Sequence, residues 1–227
     1  MPNNTDNRVI LSHDDTQMID MIYNIMNTED TPLCQTLIPM DEALLDGQGW
    51  YDWRVENWGT KWEIYNATCD RMDANTLVLD FYTAWSPPFP IYDKLVDMGF
   101  EVNARYLDEG WMYIGEYNSD GDHVHFDNVE DVVTEHEELD EEFGISEHLE
   151  REKRRLFDDI DMTCWWASEC TDMGGDELEK YLRKEYGDET MDMYYENQRL
   201  EEQLEEEQWM RDSGDPHYGD PESREIA

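Results

Sequence analysis

Carboxylates dominate the side chains that could do chemistry in this sequence, and in two places they crowd together. Glu135-His136-Glu137-Glu138-Leu139-Asp140-Glu141-Glu142 sets six acids in eight residues, and Glu201-Glu202-Gln203-Leu204-Glu205-Glu206-Glu207 sets five in seven. On a helix rising about 1.5 Å per residue, either run carries one negative charge per ~2 Å. Duplex DNA carries one per about 1.7 Å of its axis. The spacing predicts a partner-binding surface made of Glu135, Glu137, Glu138, Asp140, Glu141, Glu142, Glu201, Glu202, Glu205, Glu206 and Glu207. Such a surface would meet the Arg and Lys side chains that otherwise neutralise phosphates. The pairs Glu137/Glu141, Glu138/Glu142, Glu201/Glu205 and Glu202/Glu206 fall at i,i+4, where like charges each cost a helix about 0.2–0.5 kcal/mol. Nearby, Glu150-Arg151-Glu152-Lys153-Arg154-Arg155 relieves such repulsion by alternating signs. The two runs lack that relief, which favours binding over the bland alternative of a solvated face.

Other chemistries find less support. In Asp122-His123-Val124-His125-Phe126-Asp127 a strand would turn both imidazoles to one side, and His136 could join them as a metal set. No third ligand is fixed by the spacing, so a solvated hairpin edge competes with the metal reading. Glu116, Asn118, Asp120, Gly121, Asp122 and Asp127 loosely follow calcium-loop offsets. Their strand-like approach, Trp111 to Gly115, suits a hairpin turn better. There is no serine elbow, no phosphate loop and no cysteine in a glycine-rich setting; Gly174-Gly175 is an isolated pair. The sequence is read as non-enzymatic, with no cofactor and no bound metal expected. Cys34, Cys69, Cys164 and Cys170 form no CxxC pair and are expected to be free thiols.

These groups need elements to hold them. Arg8–Ser12 reads as a strand, and His13 to Thr16 as acidic entry signals for a helix through Met26 with Met18, Ile19, Ile22, Ile25 and Met26 on its apolar face. Leu77–Tyr82 is a further strand, Pro87–Met98 a helix, and Glu101–Tyr106 with Trp111–Tyr117 a hairpin. The order suits an α+β fold, a split βαβ sandwich with helices on one face of a mainly antiparallel sheet. The expected division is a body over 1–128, an acidic helical C-terminal extension over 129–211, and a mobile acidic tail over 212–227. Trp165-Trp166 would pack one acidic helical region against the other, or serve as an exposed anchor for a partner. Leu178, Tyr181, Leu182, Leu200 and Leu204 could cover the body or pair with a second copy, with a homodimer weakly favoured.

Several tryptophan-bearing motifs occur in order: Gly49-Trp50-Tyr51-Asp52-Trp53-Arg54, Asn57-Trp58-Gly59-Thr60-Lys61-Trp62, Thr83-Ala84-Trp85-Ser86-Pro87-Pro88 and Tyr106-Leu107-Asp108-Glu109-Gly110. Together they resemble the YubB-type ferredoxin-like family of phages and plasmids over about residues 1–121. The resemblance implies a βαββαβ body and a mobile-element source, and it implies no activity. It also leaves the acidic region after Asn128 outside the shared part. At the opening, Asn4-Thr5 stands where that family has a Trp-Cys pair.

Across the whole chain, 58 acidic against 16 basic residues give a net charge of −42. Residues 1–127 hold 24 acidic and 6 basic, and the remainder 34 and 10, so the shorter half is the more charged. Such a chain repels nucleic acid and anionic membranes and is drawn to basic proteins, although salt adaptation would also produce a large negative charge. The opening Met1-Pro2-Asn3-Asn4-Thr5-Asp6-Asn7-Arg8 has no basic stretch followed by an apolar run, which predicts residence in the host cytoplasm. The functional expectation is an acidic inhibitor that mimics DNA charge and blocks a host defence protein that grips nucleic acid, of restriction, recombination or CRISPR type. The alternatives are an adaptor using its Trp-rich body, or a metal-dependent enzyme at His123 and His125.

Overall fold

A computed structural model describes residues 3–28, 32–44, 47, 49–171, 173 and 175–213. It divides into two compact units, Met1–Leu149 and Glu150–Ala227. The expected boundary at 128 therefore differs from the grouping of contacts, and the difference has a physical cause. The apolar side chains just after Asn128 are buried against the sheet of the first unit.

In that unit the order is β1 (Asn4–Ser12), α1 (Thr16–Met26), α2 (Leu33–Leu37), α3 (Gly49–Trp58), β2 (Tyr65–Arg71), β3 (Thr76–Ala84), α4 (Phe89–Asp97), β4 (Glu101–Asp108), β5 (Ile114–Asn118) and β6 (Val124–Phe126). The sheet runs β2-β3-β1-β4-β5-β6, and every neighbouring pair is antiparallel. Strands β1 and β2 flank β3, and β3 and β4 flank β1. This is the split βαβ pattern used twice, with β5 and β6 added beyond β4. The fold is ferredoxin-like and α+β, as expected.

Period-two alternation sets the two faces of the sheet. Val9 and Leu11 of β1, Leu77, Leu79 and Phe81 of β3, and Val102 and Ala104 of β4 are buried beneath Ile19 and Ile22 of α1 and Ile91 and Leu95 of α4. Asp15 caps α1, its carboxylate accepting from the Gln17 amide. The core end of β1 is polar. Asn7 is fully buried, donates to Thr83 Oγ1 at 2.9 Å, and accepts from the Tyr92 hydroxyl at 3.0 Å. These bonds offset the cost of hiding an amide.

The opposite face is covered at one end by three further helices, α5 (Val129–Glu135), α6 (Glu137–Phe143) and the start of α7 (Ile145–Thr171). Val129, Val132, Leu139 and Ile145 bury Leu107 and Ile114 of the sheet, with Phe126, Trp111 and Phe143 alongside.

In the second unit the rest of α7 meets α8 (Asp176–Tyr186) and α9 (Asp188–Ser213). Ile160, Leu182, Met191 and Tyr194 are buried together, with Leu178 and Tyr181 against them. These three residues of α8 thus serve their own unit's core, whereas Leu200 and Leu204 are 47% and 65% exposed. Helix α9 takes in Asp212 and Ser213, and the rest of the expected tail, 214–227, lies outside the described residues.

Candidate functional site

The first acidic run is not one helix. His136, at φ −146°, ends α5 and starts α6, accepting on Nδ1 from the Leu139 amide at 3.4 Å. Glu135 therefore closes one helix and Glu137 opens the next, and the reason is tertiary. Val132 and Leu139 are both buried in one cluster, and the break at His136 lets both α5 and α6 reach it.

Three of the six carboxylates are then used within the protein. Arg105 on β4 donates Nη2 to Glu138 at 2.6 Å, Nη1 to Glu142 at 2.5 Å, and Nε to Glu116 of β5 at 2.9 Å. Arg8, directly across from Arg105 on β1, reaches Glu142 at 3.5 Å and Asp80 at 4.0 Å. The i,i+4 pair Glu138/Glu142 that is unrelieved in sequence is therefore relieved through space. Asp140 accepts from the Ser146 amide at 2.7 Å and its hydroxyl at 2.6 Å, which hold its carboxyl below the ordinary range and fasten the start of α7. Glu135, Glu137 and Glu141 remain exposed to solvent.

The second run behaves differently. Glu201, Glu202, Glu205 and Glu206 are exposed on α9, and Glu207 is half-buried. Asn197 donates to Glu201 at 3.0 Å, and no Arg or Lys pairs with the run among the described residues. The helix leaves its own core after Gln198, which still touches Tyr194 and Asp161. Beyond that point Leu200, Leu204 and Trp209 are exposed together with the acids.

Basic side chains are largely withdrawn from use. The first unit has 33 acidic and 6 basic residues. Arg8, Arg71 and Arg105 are ion-paired. Arg54 lies over Trp50 and Trp58, and Lys61 over Trp62 and Trp85. Few cations are left to soften the field of this unit.

The other candidates fall into place singly. Trp165 and Trp166 on α7 are 62% and 49% exposed. His123 stacks on Tyr117 at 4.5 Å and accepts from the Asn118 amide. His125 bonds the Tyr106 hydroxyl at 3.0 Å and Asp127 at 3.2 Å. Among the described residues no three His, Cys, Asp or Glu side chains converge as a metal set. The calcium-like offsets form the β5–β6 turn, with Gly121 at φ +96° and Glu116 turned to Arg105. Among the described residues no helix is long and apolar enough to cross a membrane.

One region escaped the sequence reading. At the end of the sheet where β1 starts, three of the described residues other than glycine have positive φ: Asn66 (50°), in the bulge of β2, Trp85 (72°) and Trp111 (58°). For bulky side chains this is strained backbone, which needs surrounding contacts to hold it. The contacts come from the tryptophan motifs. Thr60 accepts from the Ala84 amide, Ser86 donates to the Gly59 carbonyl, and Tyr113 donates to the Trp85 carbonyl at 2.7 Å. Glu109 accepts from the Asn4 amide at 3.1 Å. No local pattern signals this, because the signal is a meeting of four distant loops.

Residues 61–148 match the family described as a ferredoxin-like domain in Api92-like protein. The matched segment begins at Lys61, so the motif over 49–54 lies outside it, and it runs through Glu135–Glu142. A crystal structure of a protein api92 from Yersinia pseudotuberculosis is similar at 25% identity, covering 41% of this chain and 38% of that one, with a TM-score of 0.34. The similarity thus spans well under half of that protein. No curated protein matches the chain.

Proposed function

We propose that this protein is a non-enzymatic acidic inhibitor that presents DNA-like negative charge to a basic nucleic-acid-binding protein of its host. The observation that carries this reading is the set Glu201, Glu202, Glu205 and Glu206, exposed on α9 of a chain with net charge −42 and, with the half-buried Glu207, paired with no basic side chain among the described residues. Glu135, Glu137 and Glu141 add exposed charge on the first unit. In the finer form of the proposal the source is a phage or plasmid of the YubB-type resemblance, the compartment is the host cytoplasm, and the target is a defence protein of restriction, recombination or CRISPR type. Such proteins hold phosphates in basic channels.

Affinity purification of the tagged chain from host lysate at low and high salt tests it. Retention of a nucleic-acid-binding protein that salt and duplex DNA both release supports the reading; a salt-resistant partner indifferent to DNA overturns it. The second reading, an adaptor, draws on the exposure of Trp165 and Trp166. It expects capture that survives salt and is lost in Trp165→Ala/Trp166→Ala.

A further inference from the structure

Asn4 and Asp6 of β1, Tyr82 of β3, Asn66 of β2, and Glu109 and Trp111 after β4 line a hollow of about 380 Å³ at the strained end of the sheet. We propose that this hollow receives an arginine side chain from the basic partner, an inference that rests on the reading above and adds a specific contact to it. The lining offers carboxylates from two strand ends, the side-chain amide of Asn66, and two aromatic rings, while the Asn4 amide oxygen already accepts from the Tyr65 hydroxyl. A planar guanidinium with five donors and a weakly hydrated face uses all three kinds of surface at once, which a compact ammonium does not.

Among the described residues no basic side chain lines the hollow, and the nearby Arg8 is already shared with Asp80 and Glu142. Partial burial, with Asp80 and Glu142 at longer range, pushes the Asp6 carboxyl up, while Arg8 only partly offsets this. A cation arriving there relieves that cost. The carboxylates do not converge as a metal set. Asp108, at the back, is 3% exposed and already accepts from the Gly110 amide at 2.9 Å. The charge to be met therefore belongs to Asp6 and Glu109, and Glu109 has one oxygen committed to the Asn4 amide.

The test is an amide-resolved NMR titration of the full chain with the peptide acetyl-Gly-Arg-Gly-amide, and with its citrulline counterpart, which has the same shape and no charge. Saturable shifts at Asp6, Asn66, Tyr82 and Glu109 with the arginine peptide, absent with citrulline, are expected. Asp6→Asn and Tyr82→Leu should each weaken binding at least fivefold. Equal response to citrulline, shifts dispersed over the acidic surface without saturation, or binding untouched by both Asp6→Asn and Tyr82→Leu overturns the proposal. If host capture remains sensitive to salt and DNA while the peptide fails, the hollow alone is refuted. Peptide binding with no such capture refutes the inhibitor reading instead.

Discussion

Replacing Arg105 by methionine keeps most of the side-chain volume and removes the charge that joins β4, β5 and α6. The Arg105 side chain is 22% exposed, and its partners Glu116 and Glu142 are 11% and 21% exposed. Three charge-assisted hydrogen bonds are lost, to Glu116, Glu142 and Glu138. Glu138 is 73% exposed and rehydrates at little cost. Glu116 does not, since its neighbours on the sheet are fixed and the Asn118 amide is its one remaining donor. Breaking a fully buried pair from one side costs about 3–5 kcal/mol. Discounting for the exposure here, Arg105→Met should destabilise the first unit by about 2–3 kcal/mol, leaving Arg8 at 3.5 Å as the remaining cation on Glu142.

For a unit of this size the loss corresponds to a fall in Tm of roughly 5–12 °C. Near-UV circular dichroism is the assay, because Trp58 is buried in the first unit's core and reports its packing. Adding Glu116→Met to Arg105→Met removes the orphaned charge and should recover about 1 kcal/mol or more. A Tm lowered by less than about 2 °C, or a double variant no more stable than the single one, would refute the view that Arg105 anchors α6 to the sheet.

Asp6→Asn should stabilise the protein at neutral pH. Burial raises the folded pKa of Asp6 above its unfolded value, so ionisation at this site opposes folding as pH rises through that interval. The gain is complete above the folded pKa and vanishes below about pH 4, which unfolding curves at both pH values will show. Cys69, pushed up to about 11 from an ordinary 9.0 mainly by burial, should react with iodoacetamide at pH 8 on the order of 100-fold more slowly than an unhindered thiol, as peptide mapping will measure. Trp165→Ala/Trp166→Ala should shift Tm by less than about 1 °C, because neither side chain is packed in the core of its unit.

Where one element alternates or repeats by itself, the sequence announces it. Val9 and Leu11, Leu77 to Phe81, and the face of α1 follow periods of two and 3.6 residues, and each lies where that pattern places it. Strand β2 is invisible by the same rule. Its residues are mostly exposed, its register shifts between Tyr65 and Thr68, and its identity comes from pairing with β3. Charge is legible as a total and illegible as an arrangement. Glu138 and Glu142 look like an unrelieved pair because Arg105 is 33 residues from Glu138 in the chain and 2.6 Å from it in space. Glu201 to Glu207 look the same and stay unrelieved. Burial of Trp58 against exposure of Trp85 and Trp165 likewise depends on neighbours that no spacing reveals.

We propose that exposed acid on α9 substitutes for phosphate. The most direct test measures capture of the host partner by the full chain across a salt series, with and without duplex DNA, for the natural sequence and for the glutamine variant of Glu201, Glu202, Glu205, Glu206 and Glu207. Log affinity should fall steeply with log salt, DNA should compete, and the variant should lose most of the affinity and of the slope. Equal capture by the natural chain and the variant at every salt concentration would contradict it.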